Sequence, residues 1–489
     1  MIRQLTLLAV MVSTQAAVEW RPSFTLVQPE LFAATGGNTN AWADADNDGD
    51  LDYFVGFRGR PNRFYRNDNG TFKDVAAEVG LVDAVETRAA AWGDFNADGD
   101  VDLYIGFADP KVASKVYRNE GNGKRFVDVA GEIGLALTGV SRQPAWIDYD
   151  GDGDLDFFAA FRDGPNRLFR NDRGKFVDVT GESGLGDTRR TVSAVWWDFD
   201  RDGDLDVFVA NQEGDANGLF RQHLGRFEDV AQSFGVAATP RPKEDGGVGP
   251  SLADFDLDGD FDVFVANYGP SALYRNEGGA SFVDVARERG IDLRGHGVTS
   301  AWGDIDNDGR PDLYVGNFIA GQPLYRDAFL TNAATRFVDA LPDAFLKRDA
   351  THGVRFVDFD RDGRLDLSLT NNDPAAGGHP LWRNTSTVRG RALLVDVADG
   401  NARRTRAGAE VRAYRAGTRT LLSAEVVDSG SGYCSQSEMP VHLGVPASWQ
   451  GRIDVEITTM IGGARHTSIV REIDPDQYRG RWLRVITTR

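Results

Sequence analysis

The sequence predicts an all-β fold, a seven-bladed β-propeller followed by a small C-terminal β-sandwich. Three observations predict it. A nine-residue aspartate-rich loop recurs seven times, the stretches between copies break into short apolar runs divided by turn residues, and residues 387–489 keep the runs but lose the loop. Repetition of four short strands at this period is the mark of a radial array of sheets. A linear solenoid fits less well, because its end repeats are atypical.

The loops begin at Asp44, Asp94, Asp148, Asp198, Asp254, Asp304 and Asp358, in steps of 50, 54, 50, 56, 50 and 54 residues. A bulky apolar residue stands two positions before each: Trp42, Trp92, Trp146, Trp196, Leu252, Trp302 and Phe356. Its fixed place predicts packing of blade on blade rather than sugar stacking. After each loop comes an apolar run such as Leu103-Tyr104-Ile105-Gly106, then a run such as Leu168-Phe169-Arg170-Asn171, then one such as Phe176-Val177-Asp178-Val179. Short runs with turn residues between them read as strands. The unit closes with a helical turn stopped by glycine, as in Ala76 to Gly80. The seventh unit ends at Asn384 without its last strand, and the missing pattern appears before the first loop as Phe24-Thr25-Leu26-Val27. The N-terminal strand is therefore expected to complete the last blade and remove the open sheet edges.

Each loop reads D-x-[DN]-x-D-G-x-x-D. Alternate residues of such a turn can point inward, and a hard cation such as Ca²⁺ takes six to eight oxygens. Side-chain ligands are expected at positions 1, 3, 5 and 9, and a backbone carbonyl at position 7. The candidate ligands are Asp44, Asp46, Asp48, Asp50 and Asp52; Asp94, Asn96, Asp98, Asp100 and Asp102; Asp148, Asp150, Asp152, Asp154 and Asp156; Asp198, Asp200, Asp202, Asp204 and Asp206; Asp254, Asp256, Asp258, Asp260 and Asp262; Asp304, Asp306, Asp308, Arg310 and Asp312; and Asp358, Asp360, Asp362, Arg364 and Asp366. Arg310 and Arg364 can serve through the backbone only, and their charge is expected to weaken those two sites. Mg²⁺ fits less well, since it keeps several waters. A lone copy would read as an Asp-Gly turn capped by its own side chains. Seven copies predict about seven structural Ca²⁺ ions, one per loop.

Composition agrees. The chain of 489 residues has a formal net charge of −20, yet from Arg389 onward 15 Arg and no Lys face 11 acids. The acid is thus concentrated in the repeats, and such a surface argues against a nucleic-acid partner. The single Cys434 cannot pair within the chain, so ions are expected to take the place of disulfides. Arg3, the apolar run Leu5 to Val12 and Thr14-Gln15-Ala16 read as a secretory signal over residues 1–17. No other stretch is long and apolar enough to span a membrane.

From about Val388 the runs Leu393 to Val397, Ala409 to Tyr414 and Ile453 to Ile457 read as strands of the sandwich. Gly408-Ala409-Glu410-Val411, Gly430-Ser431-Gly432-Tyr433-Cys434-Ser435-Gln436-Ser437 and Val441-His442-Leu443-Gly444 resemble the ASPIC/UnbV domain. The repeats before it resemble the FG-GAP (VCBS) repeats of integrin-type propellers. Together they resemble the cartilage acidic protein 1 (CRTAC)-like family. The resemblance implies a secreted propeller over residues 18–386 with Ca²⁺ in its loops and a transthyretin-like sandwich over 387–489. It also implies further cations in the core, a monovalent one included. Thr459-Met460-Ile461-Gly462-Gly463 departs from the Trp-Pro-x-Gly-like turn usual there.

The six histidines, His223, His296, His352, His379, His442 and His466, form no spaced metal motif, and no nucleophile elbow or phosphate loop is present. The expectation is a non-catalytic, monomeric, extracellular or periplasmic binding or adhesion protein for a glycan or protein. The alternatives are a propeller acting on polysaccharide through two axial acids outside the loops, and a purely structural surface protein. By analogy with integrin-type propellers, the candidate partner surface is the face opposite the loops, at residues 57–62, 107–115, 161–166, 211–217, 267–271, 317–323 and 371–380.

Overall fold

The repeats turn their apolar runs into short antiparallel strands, because alternating bulky residues separated by turn residues favour hairpins over helices. The computed structural model of the chain describes residues 20–318, 326–345, 350–373, 377–400 and 406–487. The signal-like residues 1–17, and parts of 317–323 and 371–380, lie outside them.

Among the described residues the fold is all-β and propeller-type. The first unit runs Ala41–Ala43, Asp52–Val55, Arg63–Asp68 and Thr71–Asp74, paired in that order. The following units repeat it, with inner strands Thr87–Gly93, Ser141–Ile147, Thr191–Trp197, Gly246–Ala253, Arg294–Gly303 and Thr351–Val357. In the last of these the fourth strand is Phe24–Val27, in register Phe24 with Asn384 and Val27 with Leu381. The aspartate loops join each inner strand to the second. The fifth and sixth units also pair with each other, Tyr268 opposite His296, into one eight-stranded sheet.

Helical turns close the first five units, at Ala76–Val79, Ala130–Ile133, Thr180–Ser183, Ala231–Phe234 and Ala286–Arg289. Gly80 ends the first at φ 95°, a left-handed conformation in which a side chain would be strained.

The core lies between units. Trp92 of the second unit is fully buried against Phe54 and Phe64 of the first. Trp146 stacks on Phe95, and Trp196 meets Phe158, each from the preceding unit. Gly93 is required for this packing, since a Cβ there would lie 2.6 Å from the Trp146 ring. The tryptophan series is therefore inter-unit packing.

The C-terminal residues form two sheets over one apolar cluster. One holds Gly390–Asp399, Val441–Pro446 and Leu483–Thr487; the other holds Glu410–Arg415, Leu421–Val426, Ile453–Met460 and Arg465–Ile473. Thr459 to Gly463, where the familial turn pattern fails, closes the hairpin between the last two strands. Its Gly462 N–H donates to Gly151 O of the third aspartate loop (3.2 Å).

Candidate metal centre

The loop geometry follows from hydrogen bonds that its own carboxylates accept. In every loop the position-1 Asp accepts from the position-6 glycine N–H, as Asp148 does from Gly153 (3.1 Å) and Asp304 from Gly309 (2.7 Å). The position-5 Asp accepts from the N–H of position 7, as in Asp204 to Asp202 (3.0 Å). These bonds draw the chain into a tight turn with carboxylates on its inner side. At position 7 the Asp50 carboxylate accepts from Asn69 N–H (2.8 Å) and pairs with Arg361 (2.8 Å).

Several carboxylate oxygens are buried with no hydrogen-bond partner: Oδ1 of Asp46, Asp148, Asp198, Asp254, Asp256 and Asp360. In the third, fourth and fifth loops, oxygens of positions 1, 3 and 9 gather within 4.8 Å of one another: Asp148, Asp150 and Asp156; Asp198, Asp200 and Asp206; Asp254, Asp256 and Asp262. Asp44, Asp46 and Asp48 do so in the first. Burial, and then neighbouring aspartates, push these acids up: Asp254 to about 7 and Asp358 to about 8. For Asp148, also raised to about 7, burial again leads. Converging, partnerless carboxylate oxygens of this kind fit a hard cation.

Arg310 Nη2 lies 2.6 Å from Asp308 Oδ2, and Arg364 makes the same contact with Asp362. Each guanidinium thus turns back on the position-5 carboxylate of its own loop.

Sequence reasoning missed a second set of residues. The position-9 carboxylate is a brace: Asp156 Oδ2 accepts from Tyr149 N–H (3.2 Å) and Oδ1 from Asn171 N–H (2.8 Å). Asn171 Nδ2 then donates to Leu155 O of its own loop (2.9 Å) and to Phe95 O of the preceding loop (3.0 Å). Asn119, Gln222, Asn276, Asn332 and Asn384 repeat this link to Ala45, Tyr149, Phe199, Phe255 and Ile305. Asn67 donates to Phe359 O of the last unit (2.9 Å), so the links form a closed cycle. The signal was the Asn or Gln that follows the third-strand run in every repeat.

The C-terminal sheets lie on the aspartate loops. Arg465 Nη1 donates to Asp198 Oδ2 (2.5 Å) and its Nη2 to Glu410 Oε2 (2.5 Å). Arg412 Nη2 donates to Gly259 O of the fifth loop (2.9 Å). Arg406 lies 3.6 Å from Asp148, and Arg389 lies 3.2 Å from Asp306. The Arg excess of the tail thus meets the Asp excess of the repeats.

One segment goes further in. Residues 428–438 run along the inner strands, and Ser435–Gln436 pairs in parallel with Ala90 and Ala91. Trp196 N–H donates to Ser429 Oγ (3.0 Å), Gly432 N–H to Pro250 O (2.8 Å), Trp146 N–H to Gln436 Oε1 (2.7 Å) and Glu438 N–H to Trp42 O (2.8 Å). Arg355 reaches Ser435 O (3.0 Å) and Asp428 (3.1 Å). The segment therefore fills the axis around which the inner strands stand. Cys434, fully buried, sits there.

Four-stranded units that carry an aspartate loop after the inner strand define an FG-GAP-type repeat protein. The FG-GAP-like repeat model matches residues 44–105, 148–209, 198–265 and 254–315. Cartilage acidic protein 1 of Homo sapiens is 30% identical over 38% of this chain and 28% of its own length. That of Xenopus tropicalis is 28% identical over 48% of this chain and 36% of its own. The matches thus span about a third of these relatives' length. The chain thus carries FG-GAP-like repeats and is similar to cartilage acidic protein 1 over part of its length. Among solved structures it is similar to BBS1N in complex with ARL6DN, with a TM-score of 0.47 at 11% identity over 76% of this chain and 98% of that one. It is also similar to an Agrocybe aegerita lectin that recognises non-reducing terminal N-acetylglucosamine, with a TM-score of 0.41 at 16% identity over 73% of this chain and 91% of that one. No helix among the described residues is long and apolar enough to cross a membrane.

Proposed function

We propose that this chain is a seven-bladed β-propeller, 18–386, whose loops bind structural Ca²⁺ and whose loop face is covered by its own C-terminal sandwich, 387–489. It acts as a non-catalytic binding or adhesion protein outside the cytoplasm. The observation that carries the reading is the set of buried, partnerless carboxylate oxygens repeated at the same loop positions. Bound Ca²⁺ would supply the positive charge that these carboxylates converge on, held by positions 1, 3, 5 and 9 and the position-7 carbonyl. The filled axis weighs against an axial site for polysaccharide cleavage and leaves the varied loops of the opposite face as the partner surface. The secreted reading draws on the resemblance and on the signal-like N-terminus.

The test is direct. Elemental analysis of the dialysed protein should find several Ca²⁺ per chain. EDTA should lower the melting temperature by about 10 °C or more, as expected for loss of several ligands bound only by the folded state. No bound calcium and no shift would sink the reading. A glycan array and a pull-down from the native medium, each with and without chelator, then separate a glycan from a protein partner.

A further inference from the structure

In the second to seventh units the inner strand bulges six residues before the first loop Asp, at Arg88, Arg142, Val192, Val248, Val298 and His352. Six residues of strand place this ring about 20 Å from the loops, at the other end of the axis. Val192, Val248 and Val298 close around Tyr433 and Cys434. The remaining three leave a polar sector. Arg88 Nη1 donates to Tyr433 Oη (3.3 Å), and the His352 ring stands edge-on to that of Tyr433, centroids 4.1 Å apart.

The charge of this sector is not balanced. Glu86 lies 2.6 Å from Arg88 and 3.7 Å from Arg58. Arg142 has no carboxylate against it among the described residues. It is 6% exposed, donates from Nη1 to Ser141 O (2.9 Å), and its Nε has no partner. Burial, with Arg88, Arg142 and Arg58 beside it, holds His352 well below its usual range, so it stays neutral. Three guanidiniums therefore face one carboxylate. A buried guanidinium without a counter-anion is strongly unfavourable, and its planar fork suits a carboxylate, phosphate or sulfate.

We propose that the axial end opposite the aspartate loops binds a small oxyanion group, with Arg142 as principal donor and Arg88 and Arg58 supplying further charge. The inference does not depend on calcium in the loops. A free inorganic ion and an acid group carried on a sugar share this chemistry, so the probes are sodium sulfate, sodium acetate and a uronic-acid disaccharide.

Each is titrated calorimetrically into the full chain at fixed ionic strength in calcium-containing buffer. At least one should bind saturably, with affinity about ten-fold weaker in Arg142→Gln and largely kept in Arg142→Lys. Tighter binding of the disaccharide than of acetate assigns the group to a sugar; the reverse assigns a free ion. Absence of saturable binding by all three, or equal affinity in wild type and Arg142→Gln, overturns the proposal. Should Arg142→Gln fail to fold, Arg58→Ala at the exposed rim carries the test: weaker binding supports the site, and unchanged affinity overturns it.

Discussion

Asn171 shows how much rests on one side chain. Its amide bridges two loop carbonyls in different units, and its backbone N–H holds the position-9 Asp156. Asn171→Ala leaves both carbonyls unmet and should cost about 2–4 kcal/mol, read as a lower urea midpoint in calcium; a change below about 0.5 kcal/mol would show that water replaces the amide. Glu425 makes a different argument. It stands partly buried on the strand Leu421–Val426, accepts from His442 N–H (2.8 Å), and desolvation raises it to about 8. A carboxyl held above its unfolded value is favoured while protonated. It contributes stability below about pH 4.5 that is lost as pH rises toward 8. In saturating calcium, Glu425→Gln should flatten the decline of melting temperature over that window; an unchanged slope would place the titration elsewhere.

The loop is the element where sequence and structure meet most closely. Seven Asp spacings were legible because a tight turn needs glycine at one place and oxygens at alternate places, and both are residue identities. The strands were legible from their runs, and Phe24–Val27 from its displaced pattern. The Asn cycle was harder, because an amide that recurs once per repeat does not say that it reaches a carbonyl of the preceding loop. The covering of the loops by Arg389, Arg406 and Arg465 was not legible at all, since nothing local says which surface a distant arginine meets. The two exceptional loops test the element. Arg310 and Arg364 pair with the position-5 carboxylates that an ion would share. Arg310→Asn and Arg364→Asn should each release that carboxylate and tighten calcium binding about three- to ten-fold, visible as a higher EDTA concentration for half-unfolding. Weaker binding would mean that the guanidiniums support the loop rather than compete in it.

At the scale of the molecule, the two halves are complementary in charge and interlocked in shape. Residues 428–438 contact inner strands around the axis, while Arg465, Glu410 and Arg412 join the same C-terminal sheet to the fourth and fifth loops. Gly444 is part of the fit, because a Cβ there would lie 1.6 Å from Asp304 Oδ2. Docked through axis and loops together, the halves should melt as one cooperative transition in calcium. Gly432 is the place to separate them. It holds φ 85° in the axial segment, and a Cβ would meet Ser300 O at 3.1 Å. Gly432→Val strains that backbone and should draw the segment out of the axis while leaving the cluster of the C-terminal sheets intact. Scanning calorimetry should then resolve two transitions, the first at least about 5 °C below that of the wild type. Limited proteolysis should cut within 428–438. A single transition at the wild-type temperature, with the segment still protected, would show that the loops alone hold the halves together.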